Sequence, residues 1–110
     1  MVAYAPDKGD IVWLDFEPRT GSEITKTRPA LVISPKKYNS KTNLAIMMPI
    51  TSQKKEYPFE IDLVTEKVKG VILCDQIRSL DWKARNAKKI TKVSQEVLTS
   101  VLNKVMLLLE

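Results

Sequence analysis

The chain has 110 residues, a length that fits one domain with a single modest hydrophobic core. Hydrophobic residues make up 44% of it and charged residues 28%, which is typical of a globular protein and excludes a disordered chain. The formal net charge of +5 favours an anionic partner, a nucleic acid or an acidic protein, and the absence of histidine excludes acid–base chemistry by imidazole.

The first predicted strand is followed by a long loop. IVWLDF (residues 11–16) alternates, so that Trp13 and Asp15 share one face of a strand and Val12, Leu14 and Phe16 share the other. Residues 17–28 then form a polar connection that contains Gly, Pro, Ser and Thr. Because loops of this length are uncommon inside a compact domain, we expect this one to have a functional role.

The next two apolar runs predict strands of the core. ALVIS (30–34) is bounded by two prolines and predicts a buried strand, and PKKYNSKT (35–42) predicts a turn. LAIMMPI (44–50) predicts a second strand. Because proline cannot donate a hydrogen bond to a sheet, we expect this strand to bend or to reach an edge at Pro49.

Two further strands and a short helical turn complete the middle of the chain. In FEIDLV (59–64) the alternation places the apolar residues Phe59, Ile61 and Leu63 on one face. GVILC (70–74) predicts another buried strand. The segment that follows is mixed in character, and we predict a short helical turn over residues 80–84 with a basic surface around it.

The last segment predicts an amphipathic helix. Ser94 is a good N-cap, Val93 and Leu98 have the spacing of a hydrophobic staple, and Glu96 lies in the first turn. The residues of its apolar stripe are Val97, Leu98, Val101, Leu102, Val105, Leu108 and Leu109. Burial against a sheet is enough to explain this stripe.

These elements together predict a mainly β fold with α-helix, of the α+β class. Several short strands before a final helix indicate a small, strongly bent antiparallel barrel with the helix packed on it. No linker, repeat or low-complexity tract is present, so we expect residues 1–110 to form one domain.

Compartment and metal chemistry are constrained by what the sequence lacks. No run of residues is long enough to cross a membrane and the first residues do not resemble a signal peptide, so we expect a cytoplasmic protein without membrane contact. Cys74, the single cysteine, lies in an apolar run and is expected to be buried and inert. No cluster of metal ligands is apparent, and we expect neither a metal nor a cofactor.

Polar residues flank three of the predicted strands and suggest a phosphate site. Arg28 precedes strand 30–34, Thr51 and Ser52 follow strand 44–50, and residues 75–78 follow strand 70–74. The starts and ends of antiparallel strands can meet at one rim, where a guanidinium and hydroxyl groups match phosphate oxygens.

Structural roles for these residues remain open at this point. Arg28 can instead pair with Glu23 or Asp75, and Thr51 with Ser52 can simply form a turn. Asp75 can anchor a strand end through backbone hydrogen bonds. The residues alone therefore predict a basic barrel that binds nucleic acid.

Four motifs carry a resemblance to a known family. GDIVWLDFEPRTGSE, TRPALVISP, PITSQKKEYPFEI and GVILCDQIRSLDWKAR occur in this order at matching spacing. In these motifs the chain resembles the MazF/PemK (Kid) family of bacterial toxins, and within it the MazF branch. The resemblance implies a small SH3-like barrel of the CcdB/PemK type and a homodimer. It also implies a ribosome-independent endoribonuclease, an mRNA interferase, that is inhibited by an acidic MazE-like antitoxin.

The resemblance further implies site residues. It assigns catalysis to Arg28, Thr51 and Glu23. The expected RNA contacts lie in loop 17–28, at the end of strand 30–34 and in the segment that follows it, and after strands 44–50 and 70–74. They are Arg19, Lys26, Ser34, Asn39, Ser52, Gln76, Arg78 and Lys83. Trp13 and Trp82 are expected to be core or dimer contacts rather than platforms for bases.

The implied reaction cleaves single-stranded RNA without metal. The 2′-hydroxyl attacks the adjacent phosphorus and leaves a 2′,3′-cyclic phosphate and a 5′-hydroxyl end. Because a guanidinium keeps its proton at neutral pH, Arg28 is assigned electrostatic stabilisation first. Glu23 is assigned as the base or as the group that orients Arg28.

Two other functions remain as alternatives. CcdB-type toxins share the barrel but inhibit gyrase through a C-terminal Trp-Gly-Ile-type end, which VMLLLE does not match. A barrel that binds RNA without cleaving it is the second alternative, and the presence of Arg28 and Thr51 in their motifs argues against it.

Overall fold

The computed structural model describes residues 4–15 and 27–110. The predicted sites Arg19, Glu23 and Lys26 lie outside these ranges, as does Phe16. The described elements are β1 (Asp10–Asp15), β2 (Thr27–Val32), α1 (Lys36–Thr42), β3 (Leu44–Thr51), β4 (Glu60–Val64), β5 (Lys69–Leu73), β6 (Arg78–Asp81), β7 (Lys88–Lys92) and α2 (Gln95–Leu109).

The strands form a bent antiparallel half-barrel, which confirms the predicted fold class. Their order is β4-β5-β3-β2-β1-β7, and β6 pairs with β3 as well. One edge of β3 changes partner along its length, because Leu44–Met47 pairs with β6 whereas Ile50 and Thr51 pair with β5. Pro49 lies between these two pairings, where no ladder hydrogen bond is required of it. β3 does not reach an edge at Pro49 as expected, since Pro49 still pairs with Ala30 of β2, but the partner on the other side of the strand changes there.

Both faces of the central strands are buried. On β2, Leu31 belongs to a core beneath α2, whereas Ala30 and Val32 belong to a second core on the opposite face. On β3, Met48 lies in the first core and Met47 in the second. This two-sided burial explains why these strands are continuous apolar runs instead of alternating ones.

β2 begins three residues before the predicted strand. Arg28 and Pro29 are consequently part of the strand and pair with Leu14 and Trp13 of β1. The prediction placed Arg28 in the loop before the strand because Arg-Pro resembles a boundary. Pro29 is tolerated here, and the backbone of Arg28 is held by the pairing of β2 with β1.

The predicted turn at residues 35–42 is wrong, because this segment contains the helix α1. The segment lacks an apolar stripe, and its N-cap Pro35 makes no side-chain hydrogen bond. Its position is stabilised by tertiary contacts of Asn39, whose Nδ2 donates to the carbonyl oxygens of Pro6 and Ser34, both at 2.9 Å. A helix this short depends on such contacts more than on propensity, which is why the sequence pattern missed it.

The region after β5 also differs from the prediction. Residues 80 and 81 belong to strand β6, and the turn begins at Asp81, whose Oδ1 accepts a hydrogen bond from the Ala84 amide at 2.8 Å. Strand β7 was not predicted, because KKITK has lysines on both faces. Lysines on an edge strand oppose pairing with further chains.

α2 begins as predicted but extends beyond its core contacts. The Ser94 hydroxyl accepts a hydrogen bond from the Val97 amide at 3.2 Å, and Leu98 and Val101 are buried. The prediction that Leu108 and Leu109 are buried is wrong, since they are 41% and 73% exposed. No helix in the described ranges is long and apolar enough to span a membrane.

A buried carboxylate joins the chain start to β7. Asp10 is 2% exposed; its Oδ2 accepts from the Tyr4 hydroxyl at 2.7 Å and its Oδ1 from the Lys92 ammonium at 3.1 Å. Burial raises the pKa of Asp10, but the hydrogen bonds from Tyr4, the Asp7 amide and Lys92 outweigh it and lower the pKa overall. The charged form of Asp10 therefore stabilises the fold.

We predict that Asp10→Asn lowers the free energy of unfolding at pH 7 by about 1.5–3 kcal/mol, because hydrogen bonds to a charged group are lost. A lowered pKa gives stability that is present above the ordinary carboxyl pKa of about 3.9 and is lost as the pH falls below it. The difference between wild type and variant should thus shrink between pH 5 and pH 2 in urea titrations.

Asp62→Asn is the matched control, because Asp62 pairs with Lys54 at 2.9 Å while both side chains are exposed. It should change the unfolding free energy by less than about 1 kcal/mol. Equal losses in the two variants would contradict the role of Asp10.

Candidate active site

A cleft opens where β2, β3 and the segment after β5 meet. Its volume is about 520 Å³. It contains three basic side chains, two glutamines and one tyrosine among its polar and aromatic groups. The lining residues are Arg28, Pro49, Ile50, Thr51, Gln53, Lys55, Tyr57, Glu60, Leu73, Gln76 and Arg78.

The register of β2 against β3 brings Arg28 and Thr51 together. Ala30 pairs with Pro49 and Leu31 with Met48, so Arg28 and Thr51 each lie two residues beyond the last pair of this antiparallel ladder, at the same end of it. Both residues line the cleft. Strand pairing therefore brings two residues that are 23 positions apart in the chain into the same cleft.

Arg28 and Thr51 also line a second cleft of about 440 Å³. They are shared by both clefts, together with Ile50 and Gln53. The predicted site residue Ser52 belongs only to the second cleft, where Lys67 and Lys69 add positive charge. The residues specific to this cleft are Trp13, Thr27, Pro29, Ser52, Lys67, Val68 and Lys69.

The position of Thr51 depends on a close approach of β5. Gly70 has φ +156°, and a Cβ atom added there would lie 2.4 Å from the Thr51 carbonyl oxygen. The neighbouring atoms are backbone, so they cannot rotate away. The Thr51 hydroxyl accepts a hydrogen bond from the Gln53 amide at 3.2 Å, which fixes the first turn after β3.

The electrostatics of the cleft are dominated by cations. Within residues 4–15 and 27–110, no carboxylate forms an ion pair with Arg28. Asp75, one of the two partners considered for it, instead accepts a hydrogen bond from the Tyr57 hydroxyl at 2.6 Å. The carboxylate of Glu60 accepts from the backbone amides of Lys55 and Glu56. The arrangement suits an anion with several oxygens.

The structure brings together only part of the predicted set of site residues. Arg28, Thr51, Gln76 and Arg78 meet in the first cleft, and Ser52 lies beside them. Lys83 lines a separate depression with Trp82. Arg28, Gln76 and Arg78 are exposed, so their side chains are available to a ligand.

Ser34 and Asn39 do not reach the cleft. Ser34 is 4% exposed and Asn39 is fully buried, and the Ser34 hydroxyl donates to Asn39 Oδ1 at 2.6 Å. The Trp82 indole donates to the Asn39 carbonyl oxygen at 3.0 Å, which confirms Trp82 as a core residue. These hydrogen bonds give Ser34 and Asn39 a structural role. Because both side chains are buried, they are not available to contact RNA, and the prediction that they do so is wrong.

Several cleft residues were missed by the sequence analysis. Gln53, Lys55 and Tyr57 lie on the connection between β3 and β4, which was read only as polar. The one sequence signal that could have identified this connection as part of the site is that it directly follows Thr51. Lys67 and Lys69, beside the second cleft, were also missed because surface lysines are common.

Neither a metal nor a reactive thiol is indicated by the described residues. They contain no group of three or more His, Cys, Asp or Glu side chains that could hold a metal ion. Cys74 is buried, and burial raises the pKa of its thiol to about 11. Its prediction as a buried cysteine is confirmed.

Comparison with known proteins identifies the family. Residues 7–109 match the family model described as PemK-like, MazF-like toxin of type II toxin-antitoxin system. The endoribonuclease toxin MazF of Escherichia coli K12 is 44% identical over 106 residues, which cover 96% of each chain.

Two crystal structures from Deinococcus radiodurans have the same fold. MazF has a TM-score of 0.86 at 45% identity, with 97% of this chain and 98% of that chain covered. A MazE–MazF complex has a TM-score of 0.87 at 42% identity, with 97% of each chain covered. The chain described here belongs to the PemK/MazF family of toxins of type II toxin–antitoxin systems.

Proposed function

We propose that this chain is an endoribonuclease toxin, an mRNA interferase, that cleaves single-stranded messenger RNA in the cytoplasm. The observation that carries the proposal is that Arg28 and Thr51 line the same cationic cleft. Relatives named as endoribonucleases, MazF and PemK of Escherichia coli among them, support it. A cognate MazE-like antitoxin is proposed as the partner that inhibits it, and a complex of this type is known for Deinococcus radiodurans MazF.

The proposed reaction is an attack by the 2′-hydroxyl of the RNA on the adjacent phosphorus. The new bond joins the 2′-oxygen to phosphorus, and the bond from phosphorus to the 5′-oxygen breaks. The products are a 2′,3′-cyclic phosphate and a 5′-hydroxyl end. One proton leaves the 2′-hydroxyl and one reaches the departing 5′-oxygen, so the reaction is balanced without metal or cofactor.

Arg28 is proposed to stabilise the negative charge that develops on the phosphoryl oxygens. Its backbone is held in a strand paired with β1, which sets where the side chain leaves the sheet at the cleft. The Thr51 hydroxyl is proposed to hold a phosphoryl or bridging oxygen. Glu23 is proposed as the base, or as the residue that orients Arg28.

Contacts that bind RNA around the reaction centre are proposed for the exposed polar residues. Gln76 and Arg78 share the cleft with Arg28, and Ser52 lies in the adjoining cleft. Arg19, Lys26 and Lys83 complete the proposed set from the sequence. Positive side chains bind the phosphate backbone, whereas amide groups can hydrogen-bond to base edges.

We predict that purified protein cleaves a long synthetic RNA in EDTA at one recurring short sequence, mapped by primer extension. Arg28→Ala should lower the cleavage rate by about 10²–10³-fold, because a preorganised donor to the transition state is lost. Thr51→Val should lower it by about 10–150-fold, the value of a hydrogen bond to a charged group.

Lys37→Ala is the matched control, since Lys37 is an exposed cation on α1 and lines neither cleft. It should keep nearly full activity. RNA left intact by folded, antitoxin-free protein would refute the nuclease and leave a binding protein or a gyrase inhibitor to be tested.

We predict that Gly70→Ala lowers the turnover number by about 10²-fold, because the new methyl group displaces the backbone of Thr51. The matched control is Gly9→Ala. Gly9 also has a positive φ (+94°), but an added Cβ would contact only the side chains of Lys92 and Leu98 at 3.6 Å or more. Gly9→Ala should lower the melting temperature and keep the turnover number. Unchanged turnover in Gly70→Ala would contradict the positioning of Thr51 by β5.

A homodimer is the proposed assembly. In support of it, the end of α2 presents four exposed apolar side chains that a second copy can cover: Met106, Leu107, Leu108 and Leu109.

We predict that the double substitution Leu107→Lys with Leu109→Lys shifts the protein from dimer to monomer in sedimentation at micromolar concentration. Val64→Lys, at another exposed apolar position, is the control. A double variant that stays dimeric would place the interface elsewhere.

A further inference from the structure

Tyr57 is the one aromatic residue among the described residues that line the first cleft. It lies on the connection between β3 and β4, six residues after Thr51. The side chain is only partly buried, so the hydrophobic core does not account for its position. Single-stranded RNA is commonly bound by stacking its bases on aromatic rings.

The Tyr57 ring is fixed at its far end. Its hydroxyl donates to Asp75 Oδ1 at 2.6 Å, and this hydrogen bond raises the pKa of Tyr57 to about 12. Asp75 directly follows Cys74, whose amide donates to the Phe59 carbonyl oxygen at 3.0 Å. The ring is therefore held between two neighbouring segments of the cleft, and little side-chain freedom is left for a ligand to remove.

The connection that carries Tyr57 is also fixed by its own contacts. The carboxylate of Glu60 accepts hydrogen bonds from the amides of Lys55 at 3.0 Å and Glu56 at 2.9 Å. Glu56 adopts a left-handed conformation with φ +59°, which is unfavourable for a residue with a side chain. The hydrogen bonds to Glu60 support this conformation of the connection beside the cleft.

Groups that recognise a base edge lie in the same cleft. The amide side chains of Gln53 and Gln76 offer both donors and acceptors. Arg28 and Arg78 offer positive charge for phosphates on the same surface. A flat ring, two amides and two guanidiniums in about 520 Å³ match one nucleotide and its phosphates in chemistry.

We propose that the ring of Tyr57 is the stacking platform for an RNA base next to the phosphate bound by Arg28. This inference rests on the proposed ribonuclease function. Tyr57 would contribute to the sequence preference through the position at which it holds that base, while Gln53 and Gln76 contact the base edge. The hydroxyl serves to orient the ring through Asp75.

The test measures kcat and KM for wild type, Tyr57→Phe and Tyr57→Leu on a short RNA that contains the mapped cleavage site. A series of RNAs carries one abasic nucleotide at each position that flanks the cleaved bond. Tyr57→Leu should lower kcat/KM by about 5- to 150-fold, chiefly through KM, because one base stack is lost. Tyr57→Phe keeps the ring and should retain most of the activity.

The abasic series separates stacking from a structural role. At one flanking position the missing base should lower wild-type activity by a similar factor and abolish the difference between wild type and Tyr57→Leu. A purely structural role would lower activity equally on every RNA. The matched control Tyr38→Leu, which changes an exposed tyrosine on α1, should behave as wild type on all of them.

Binding by the wild-type protein gives a second measurement that does not depend on the folding of any variant. A fluorescent 2-aminopurine is placed at each flanking position of an RNA whose reacting 2′-hydroxyl is methylated. Quenching at the same position that the abasic series identifies supports the proposal. Quenching at no position, or normal kcat/KM in Tyr57→Leu, overturns it, whereas failure of wild type to cleave any RNA refutes the nuclease itself.

Discussion

The structure depends on the pairing of β3 with three other strands. β2 lies along one edge, and β6 and β5 follow one another along the other edge. This pairing fixes the register that places Arg28 beside Thr51, and it brings Gly70 against the Thr51 carbonyl group. The placement of Arg28 and Thr51 at the cleft is therefore a consequence of strand pairing.

Burial on both faces of the sheet makes that register difficult to change. A slip of one residue would exchange the two cores, which would place Leu31 and Met48 in the space that Ala30 and Met47 now fill. The interior cannot accommodate such an exchange of volumes. The packing of apolar residues in the two cores thus holds the strands that carry Arg28 and Thr51 at their ends.

The sequence predicted the strands of the core, the capped start of α2 and four of the residues that line the first cleft, namely Arg28, Thr51, Gln76 and Arg78. These features have local signals: apolar runs, alternation, Ser94 before an amphipathic stripe, and motif positions for Arg28 and Thr51. α1 and β7 were missed because tertiary contacts determine them, through Asn39 and through the edge of β1 respectively. Tyr57 was missed because its position in the cleft depends on a partner, Asp75, that is 18 residues away.

The cleft residues lie partly on strands and partly on the connection between β3 and β4, and this division has an evolutionary consequence. Arg28 and Thr51 belong to paired strands, whereas Gln53 and Tyr57 belong to a connection with its own hydrogen bonds to Glu60 and Asp75. Substitutions in that connection leave the sheet register intact. If these residues act as proposed, selection can alter which RNA sequences such a scaffold recognises while Arg28 and Thr51 stay in place, and one fold can give rise to toxins with many different targets.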